Sequence, residues 1–195
     1  PDYQEREREA DLDRQAHAKW LARDRLLGMG IPLIHALDII ESRHPGNPVD
    51  QHVADFAASN RSVLFLAGGV GSTKTSAACR WLAPRGGRFV HVHDLAHAST
   101  FDGDWDRVKD AKHLVIDDLG CEVTSKSEWV LGKVREVIEH RTQGLLPLVV
   151  TTNLSKPNFV QRYGDEGGRL IDRLRVSAQW FDVPVYTSQR KPEAR

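Results

Sequence analysis

The residues able to do chemistry lie in three short runs, each at the end of an apolar stretch. The first is FLAGGVGSTKTSAA, Phe65 to Ala78. Gly68 is followed by four residues and then by Thr73-Lys74-Thr75. That is the G-x-x-x-x-G-K-[ST] spacing of a phosphate-binding loop, with threonine in place of the second glycine. In such a loop successive backbone N–H groups converge on a phosphate, aided by the positive end of the following helix. Gly68, Gly69 and Gly71 supply the bends, and Val70, Ser72 and Thr73 complete the cradle. Lys74 is placed to reach the β- and γ-phosphates of a nucleotide, and the Thr75 hydroxyl to bind Mg²⁺. The second run is LVIDDLG, Leu114 to Gly120. Two acids at the end of a buried apolar strand are costly unless a metal or a water uses them. Asp117 suits Mg²⁺ held through its water shell, and Asp118 suits polarisation of an attacking water. The third run ends in Thr151-Thr152-Asn153, where the Asn153 amide suits contact with a γ-phosphate or orientation of water.

Each run has an ordinary structural alternative: a glycine-rich turn, an acidic helix cap, a strand-end turn. Together they converge on one site, because ligands of parallel sheets bind at the carboxyl ends of the strands. A fourth run, GGRLIDRLR, crowds Arg169, Arg173 and Arg175 on a short helix. Arg169 and Arg173 are four apart and share a face. That face is either solvated or presents an arginine to the γ-phosphate of a neighbouring subunit. Such an arginine contributes about 10³–10⁵ in rate. His91, His93 and His97 raise a metal question, with His91 and His93 on one face of an expected strand. No acid or cysteine partner for them is visible in the sequence, so they read as strand-surface histidines.

The elements that must position these runs alternate. SVLFLAG, RFVHVHD, HLVIDDLG, LLPLVVTTN and WFDVPVY read as strands. TSAACRWLA reads as the helix after the loop, ended by Pro84 and Gly86-Gly87. SKSEWVLGKVREVIEHRTQG reads as a helix opened by a capping box, Ser125 to Glu128. RLIDRLRV reads as a late helix. Alternation of this kind predicts a mainly parallel α/β sheet covered on both faces. Residues 1 to about 27 mix both charge signs, with Leu12, Ala16, Trp20 and Leu27 at near-helical spacing. They predict an amphipathic helix ended near Gly28 and Gly30, serving either as a helix packed on the main domain or as a partner-binding arm. HPGNP, His44 to Pro48, reads as the loop that separates it from the core. The expected division is an arm with its linker over 1–48 and a core over 49–195.

The 195 residues carry a formal net charge of zero, 40% hydrophobic residues and 28% charged residues. That balance suits a globular domain and argues against a surface dominated by nucleic-acid electrostatics, while leaving room for a local basic patch. The two cysteines, Cys79 and Cys121, show neither metal spacing nor a disulfide framework, which fits a reducing, cytoplasmic setting. No apolar run of membrane-spanning length is present. The charged N-terminus has no signal-peptide core. The chain begins at Pro1 without methionine, which leaves open whether residues precede it.

Taken together, GGVGSTKT, LVIDDLG, VVTTNLS and GRLIDRLR resemble the DnaC/IstB-type AAA+ ATPases, the bacterial and phage helicase loaders and their transposition-helper relatives. RDRLLGMGIP, Arg23 to Pro32, resembles the lead-in before their core, and the resemblance runs from about residue 23 to 187. It implies an AAA+ P-loop core with a parallel five-stranded sheet in the order 5-1-4-3-2, flanked by helices and without a helical lid domain. It further implies ATP or ADP with Mg²⁺ at Gly68 to Thr75, Asn153 as the sensor residue, Arg173 as the arginine finger and Arg169 as an auxiliary interface arginine. The implied partners are a replicative, DnaB-like helicase met through the N-terminal arm, further copies of the chain, and single-stranded DNA. The chain departs from the family at Thr73, where glycine is usual. It departs again in the 26 or so residues between HVHD and DDLG, where loaders often carry more helix used on DNA. It also lacks a folded N-terminal helicase-binding domain or zinc module. The resulting expectation is a helicase loader in DNA replication. The alternatives are a transposition helper of the same fold, a nucleotide-binding adaptor with little turnover, which Thr73 favours, and a small P-loop kinase, which the paired acids disfavour.

Overall fold

A computed structural model describes residues 3–43, 47–97, 105–122 and 127–184. The chain falls into two compact units, Pro1–Pro45 and Gly46–Arg195.

In the first unit, α1 spans Tyr3–Gly28 and α2 spans Leu33–Ile40. Glutamate, arginine, alanine and leucine dominate α1, and no proline or glycine interrupts it before Gly28, so the helix runs its full length. It closes in a turn in which the Gly30 N–H donates to the Leu27 carbonyl. The expected apolar stripe is not a buried face. Leu12 is 65% exposed and Trp20 49% exposed, and Leu26 is the buried residue of the helix. Charged and polar residues such as Asp13, Arg14, Gln15 and Lys19 interrupt the stripe, and its members are few and widely spaced, so it is too thin to build a continuous core face.

In the second unit, α3 (Pro48–Ala57) opens with a capping box. The Asn47 side chain accepts from the Val49 and Asp50 amides, while Asp50 reaches back to the Asn47 N–H. There follow β1 (Val63–Ala67), α4 (Lys74–Arg85), β2 (Arg88–His91), α5 (Val92–His97) and α6 (Trp105–Lys109). The chain continues through β3 (Leu114–Leu119), α7 (Ser127–Gln143), β4 (Leu148–Thr152), α8 (Lys156–Ser177) and β5 (Ala178–Asp182). The five strands form one sheet in the order β2-β3-β4-β1-β5, and every pairing is parallel. Read from the other edge this is the order 5-1-4-3-2 that the resemblance implies.

Both faces of the sheet are covered. Val63, Phe65, Ile116 and Val150 pack with Val130, Val134 and Val137 of α7 and Phe159 of α8 in one core cluster. Strand alternation turns Leu64, Leu66, Val115 and Val149 to the other face, and all four are fully buried. Alternation with helices therefore gives strands that are apolar on both sides, as parallel sheets require.

Four local expectations change. The RFVHVHD strand stops at His91, because Val92 begins α5 and the His93 N–H donates to His91 Nδ1 at 3.1 Å. His93 therefore sits on a helix and not beside His91 on a strand face. Helix α4 passes through Pro84 to Arg85; a proline in the last turn removes only one intrahelical bond. The late helix is longer than RLIDRLRV and is broken at Gly164 (φ 57°, ψ −144°), a conformation suited to glycine. Strand β5 begins at Ala178, two residues before the expected WFDVPVY, whose end lies outside the described residues. Ser125 of the expected capping box also lies outside them.

Arg141, which carried no signal in the sequence, is fully buried. It donates to the carbonyls of Lys109, Ala111 and Pro147 at 2.9, 2.7 and 2.6 Å, tying the α6–β3 turn to the start of β4. Burial pushes its guanidinium pKa down to about 10. Removing this side chain takes a donor from the Lys109 and Ala111 carbonyls, while Pro147 keeps the Leu114 N–H; each lost buried bond costs on the order of 1–3 kcal/mol. Arg141→Met is expected to lose about 3 kcal/mol or more in urea unfolding. A loss under about 1 kcal/mol would show that water replaces these bonds.

Candidate nucleotide site

Three strand ends bring the chemistry together. β1 delivers the loop Gly68 to Thr73, β3 delivers Asp117 and Asp118, and β4 delivers Thr151 and Thr152 and then Asn153. The register places them side by side, with Leu66 opposite Thr151 and His91 opposite Asp117.

Lys74, the first residue of α4, is buried. Its ammonium donates to the Gly68 carbonyl at 2.8 Å, the Gly69 carbonyl and Ser72 Oγ at 2.9 Å, and Asn153 Oδ1 at 3.0 Å. Burial lowers its pKa, while the Asp118 and Asp117 carboxylates work in the opposite direction. Asn153 Nδ2 in turn donates to Asp118 Oδ1 at 3.2 Å. Asp117 Oδ1 accepts from Thr75 Oγ1 at 2.9 Å and from Thr151 Oγ1 at 2.6 Å. Burial raises the Asp117 pKa against these two hydroxyls. The Asp118 N–H donates to Thr151 Oγ1 at 2.9 Å, and Asp118 itself has φ 59°.

The structure thus brings Lys74, Thr75, Asp117, Asp118 and Asn153 into one hydrogen-bonded group, with Gly68, Gly69, Gly71 and Ser72 beside it. Val70 stands 88% exposed at the loop tip. Arg169 lies on α8, 70% exposed at its side chain, and pairs with Glu166 at 3.0 Å. The Arg173 side chain lies outside the described residues, although its backbone is part of α8.

His91 corrects the sequence reading, which found no acid near it. Its Nε2 lies 3.6 Å from Asp118 Oδ2. The Asp118 hydrogen bond raises the His91 pKa, and the same bond holds the Asp118 carboxyl below the ordinary carboxylate range. With Nδ1 accepting from the His93 N–H, the neutral ring carries its proton on Nε2, facing the carboxylate. One ligand atom each from His91, Asp117 and Asp118 lies within 4.8 Å of the others. Thr75 and Asp117, already in contact, offer oxygen donors of the kind Mg²⁺ takes; these residues fit that ion.

Two more residues contribute in ways the sequence did not show. Thr151 bridges both acids through one hydroxyl, which strand register alone reveals. Glu122 is buried and accepts from the Gly120 N–H at 2.9 Å and from the Tyr163 hydroxyl at 2.5 Å, with Arg162 Nε at 3.4 Å. It clamps the turn after Asp118 to the first half of α8. Nothing in its spacing marks it.

Thr73 has φ 63° and ψ 10°, in the left-handed region, and makes no side-chain cap to α4. A glycine adopts that conformation freely; an L-residue is disfavoured there by about 1–2 kcal/mol, and a β-branched one is a genuine outlier. The usual glycine thus answers a backbone need in addition to phosphate clearance. Thr73→Gly is expected to raise the melting temperature, because relief of this strain exceeds the added chain entropy of about 0.5–1 kcal/mol. It is also expected to tighten nucleotide binding. An unchanged or lower melting temperature would mean that neighbouring contacts compensate the threonine.

No protein-family model matches the chain, and no curated protein matches it. Solved structures do. DnaI is 21% identical, with a TM-score of 0.57 over 74% of this chain and 89% of its own. The DnaC helicase loader is 21% identical, with a TM-score of 0.52 over 73% of this chain and 94% of its own. The chain shares the fold of DnaI and of the DnaC helicase loader, a parallel five-stranded sheet flanked by helices. DnaA from Aquifex aeolicus, solved bound to AMPPCP, is 18% identical with a TM-score of 0.53. The match takes in 75% of this chain and 49% of that one. At these identities the likeness is one of fold.

Proposed function

We propose that the chain binds ATP or ADP with Mg²⁺ at Gly68–Thr75 and hydrolyses ATP weakly as a loader of a replicative DNA helicase in bacterial or phage DNA replication. The observation that carries the nucleotide reading is the continuous contact from Lys74 through Asn153 to Asp118, beside the Thr75–Asp117 bond. Phosphoryl transfer asks a protein for positioning and charge more than for covalent chemistry, and this group provides both. The Lys74 ammonium exchanges loop carbonyls for β- and γ-phosphate oxygens. Thr75 and Asp117 are the residues to hold Mg²⁺, which when bound neutralises phosphate charge. Asp118 orients water for in-line attack, and Asn153, touching both Lys74 and Asp118, aligns that water with the γ-phosphate. An arginine from the α8 helix of a neighbouring copy, Arg173, supplies charge to the transition state.

The shared fold with a helicase loader and with a nucleotide-bound initiator supports this reading, as does the arm: exposed Leu12 and Trp20 on α1 are residues a helicase partner would cover. The strained Thr73 favours a second reading, a nucleotide-binding adaptor with little turnover. Affinity capture with the purified chain as bait, using a defined replicative helicase and single-stranded DNA with and without Mg·ATP, separates the two. A loader is expected to hold the helicase in a nucleotide-dependent way and to hydrolyse ATP faster in its presence. Nucleotide-dependent capture without stimulated hydrolysis would establish the adaptor. No capture in either state would remove the helicase from the account. Among the described residues no helix is long and apolar enough to cross a membrane.

A further inference from the structure

Asp118 is held by its backbone as much as by its side-chain partners. Its φ of 59° lies in the left-handed region, which a residue with a side chain keeps only where its surroundings over-determine it. Three contacts restrain it. The Asp118 N–H donates to Thr151 Oγ1 at 2.9 Å, and the Asp118 carbonyl accepts from the Cys121 N–H at 3.0 Å, closing a turn over Asp118–Cys121. Inside that turn Gly120, at φ 107°, donates its N–H to Glu122 Oε2 at 2.9 Å. Glu122 is itself fixed from the other side. Its side chain is 0% exposed, and Oε1 accepts from the Tyr163 hydroxyl at 2.5 Å, with Arg162 Nε at 3.4 Å. Arg162 Nη2 also donates to the Glu122 carbonyl. Tyr163 is anchored in turn: it belongs to the core cluster, and its ring lies 4.7 Å from that of Phe159.

We propose that Glu122 is the positioning residue of Asp118: by tying the Asp118–Cys121 turn to α8, it holds the Asp118 carboxylate at the angle that hydrolysis needs. The proposal rests on the reading of Asp118 as the acid that orients water. Stability alone does not account for an acid here, because replacing a buried ion pair by well-packed apolar residues of similar volume is often neutral or stabilising. What an apolar residue cannot supply is direction. It would fill the space and leave the Gly120 N–H without its acceptor, so one of the three restraints on a disfavoured backbone conformation would be gone. Relaxation of Asp118 toward an ordinary φ would swing its Oδ1 away from Asn153 Nδ2, which stands 3.2 Å from it. Lys74, Thr75 and the glycine loop belong to β1 and α4 and would keep their places. The consequence is a weakened chemical step with nucleotide binding retained.

The test compares Glu122→Met, which removes both acceptors at similar volume, with Glu122→Gln, whose amide still accepts from Gly120 and donates to the Tyr163 hydroxyl. Arg141→Met is the control, destabilised at a distance from this turn. The first readout needs no nucleotide: the side-chain amide resonance of Asn153 in the full chain, assigned with Asn153→Ala. Asn153 Nδ2 touches Asp118 Oδ1 and Cys121 Sγ, the latter at 3.7 Å, so it reads both ends of the turn. Glu122→Met is expected to shift this resonance, and Glu122→Gln and Arg141→Met to leave it near its wild-type position. The second readout sets ATP turnover against ATP affinity. Glu122→Met is expected to lower turnover about 10²-fold, the effect of a displacement of about 1 Å on positioned chemistry. Its ATP Kd is expected to change by less than about twofold, and Glu122→Gln is expected to recover most of the turnover. Tyr163→Phe, which removes the anchoring hydroxyl and keeps the ring, is read in the same way if Glu122→Met does not fold. An unmoved Asn153 resonance overturns the proposal. So does an equal shift in Arg141→Met, or a fall in affinity as large as the fall in turnover. A wild-type chain that neither binds nor hydrolyses ATP overturns the nucleotide reading instead, and the Asn153 resonance then decides this proposal by itself.

Discussion

Lys74→Ala removes nucleotide-induced stabilisation. In the wild type, a ligand that binds only the native state adds about 2.7 kcal/mol at a hundred times its dissociation constant. Mg·ATP and Mg·ADP are therefore expected to raise the melting temperature by several degrees, as about 1 kcal/mol moves a domain of this size by roughly 2–4 °C. The Lys74 ammonium meets two loop carbonyls, Ser72 and Asn153, so it is the one charge positioned to move onto phosphate. Without it the loop keeps its backbone donors and loses its only buried ammonium. The expected readout is a melting temperature that no longer responds to nucleotide, with the unliganded transition still cooperative. An equal shift in wild type and variant would place nucleotide elsewhere on the chain.

Asp118→Asn and Arg173→Ala are each expected to be inactive alone and partly active when mixed. Removing a positioned acid–base group lowers turnover by about 10²–10⁴, and removing a trans arginine by about 10³–10⁵. In the proposed arrangement the two residues act at one interface but belong to different copies. In a mixture, some interfaces pair an intact Asp118 with an intact Arg173, and turnover returns there. Wild-type activity is expected to rise with protein concentration for the same reason. Arg169, four residues earlier on α8 and already paired with Glu166, is expected to act on assembly more than on the chemical step. Steady-state ATPase assays on the mixed variants check this. A mixture that stays inactive while wild type turns over, or wild-type activity independent of dilution, would exclude a trans arginine.

The fold was legible because its signals are periodic and local. The strands within HLVIDDLG and LLPLVVTTN are buried on both faces, glycine or an acid marks the ends of these runs, and helices fill the gaps; parallel topology follows from that alternation. The site was legible where one residue type has one chemical use: lysine after a glycine loop, two acids ending an apolar strand, an amide ending the next. What stayed hidden depends on register and burial. His91 meets Asp118 because β2 pairs with β3 at His91–Asp117, and a reading that extended β2 through His93 set its neighbours on the wrong element. Thr151 was visible as a strand-end hydroxyl, but its bridge between the two acids requires the β3–β4 pairing. Arg141 and Glu122 are charged residues that spacing alone places at the surface. Their side-chain partners are 29 or more residues distant in sequence, except for nearby Pro147 and Gly120. Thr73 showed a missing glycine, while its positive φ shows why glycine is usual there.

Calorimetric titration of ATP into the purified chain, with and without Mg²⁺, tests the central claim most directly. The account predicts saturation at one ATP per chain, weakened when Mg²⁺ is withheld and lost in Lys74→Ala, with tighter binding in Thr73→Gly. No saturable heat at millimolar ATP with Mg²⁺, for both the wild type and Thr73→Gly, would contradict a nucleotide site at Gly68–Thr75.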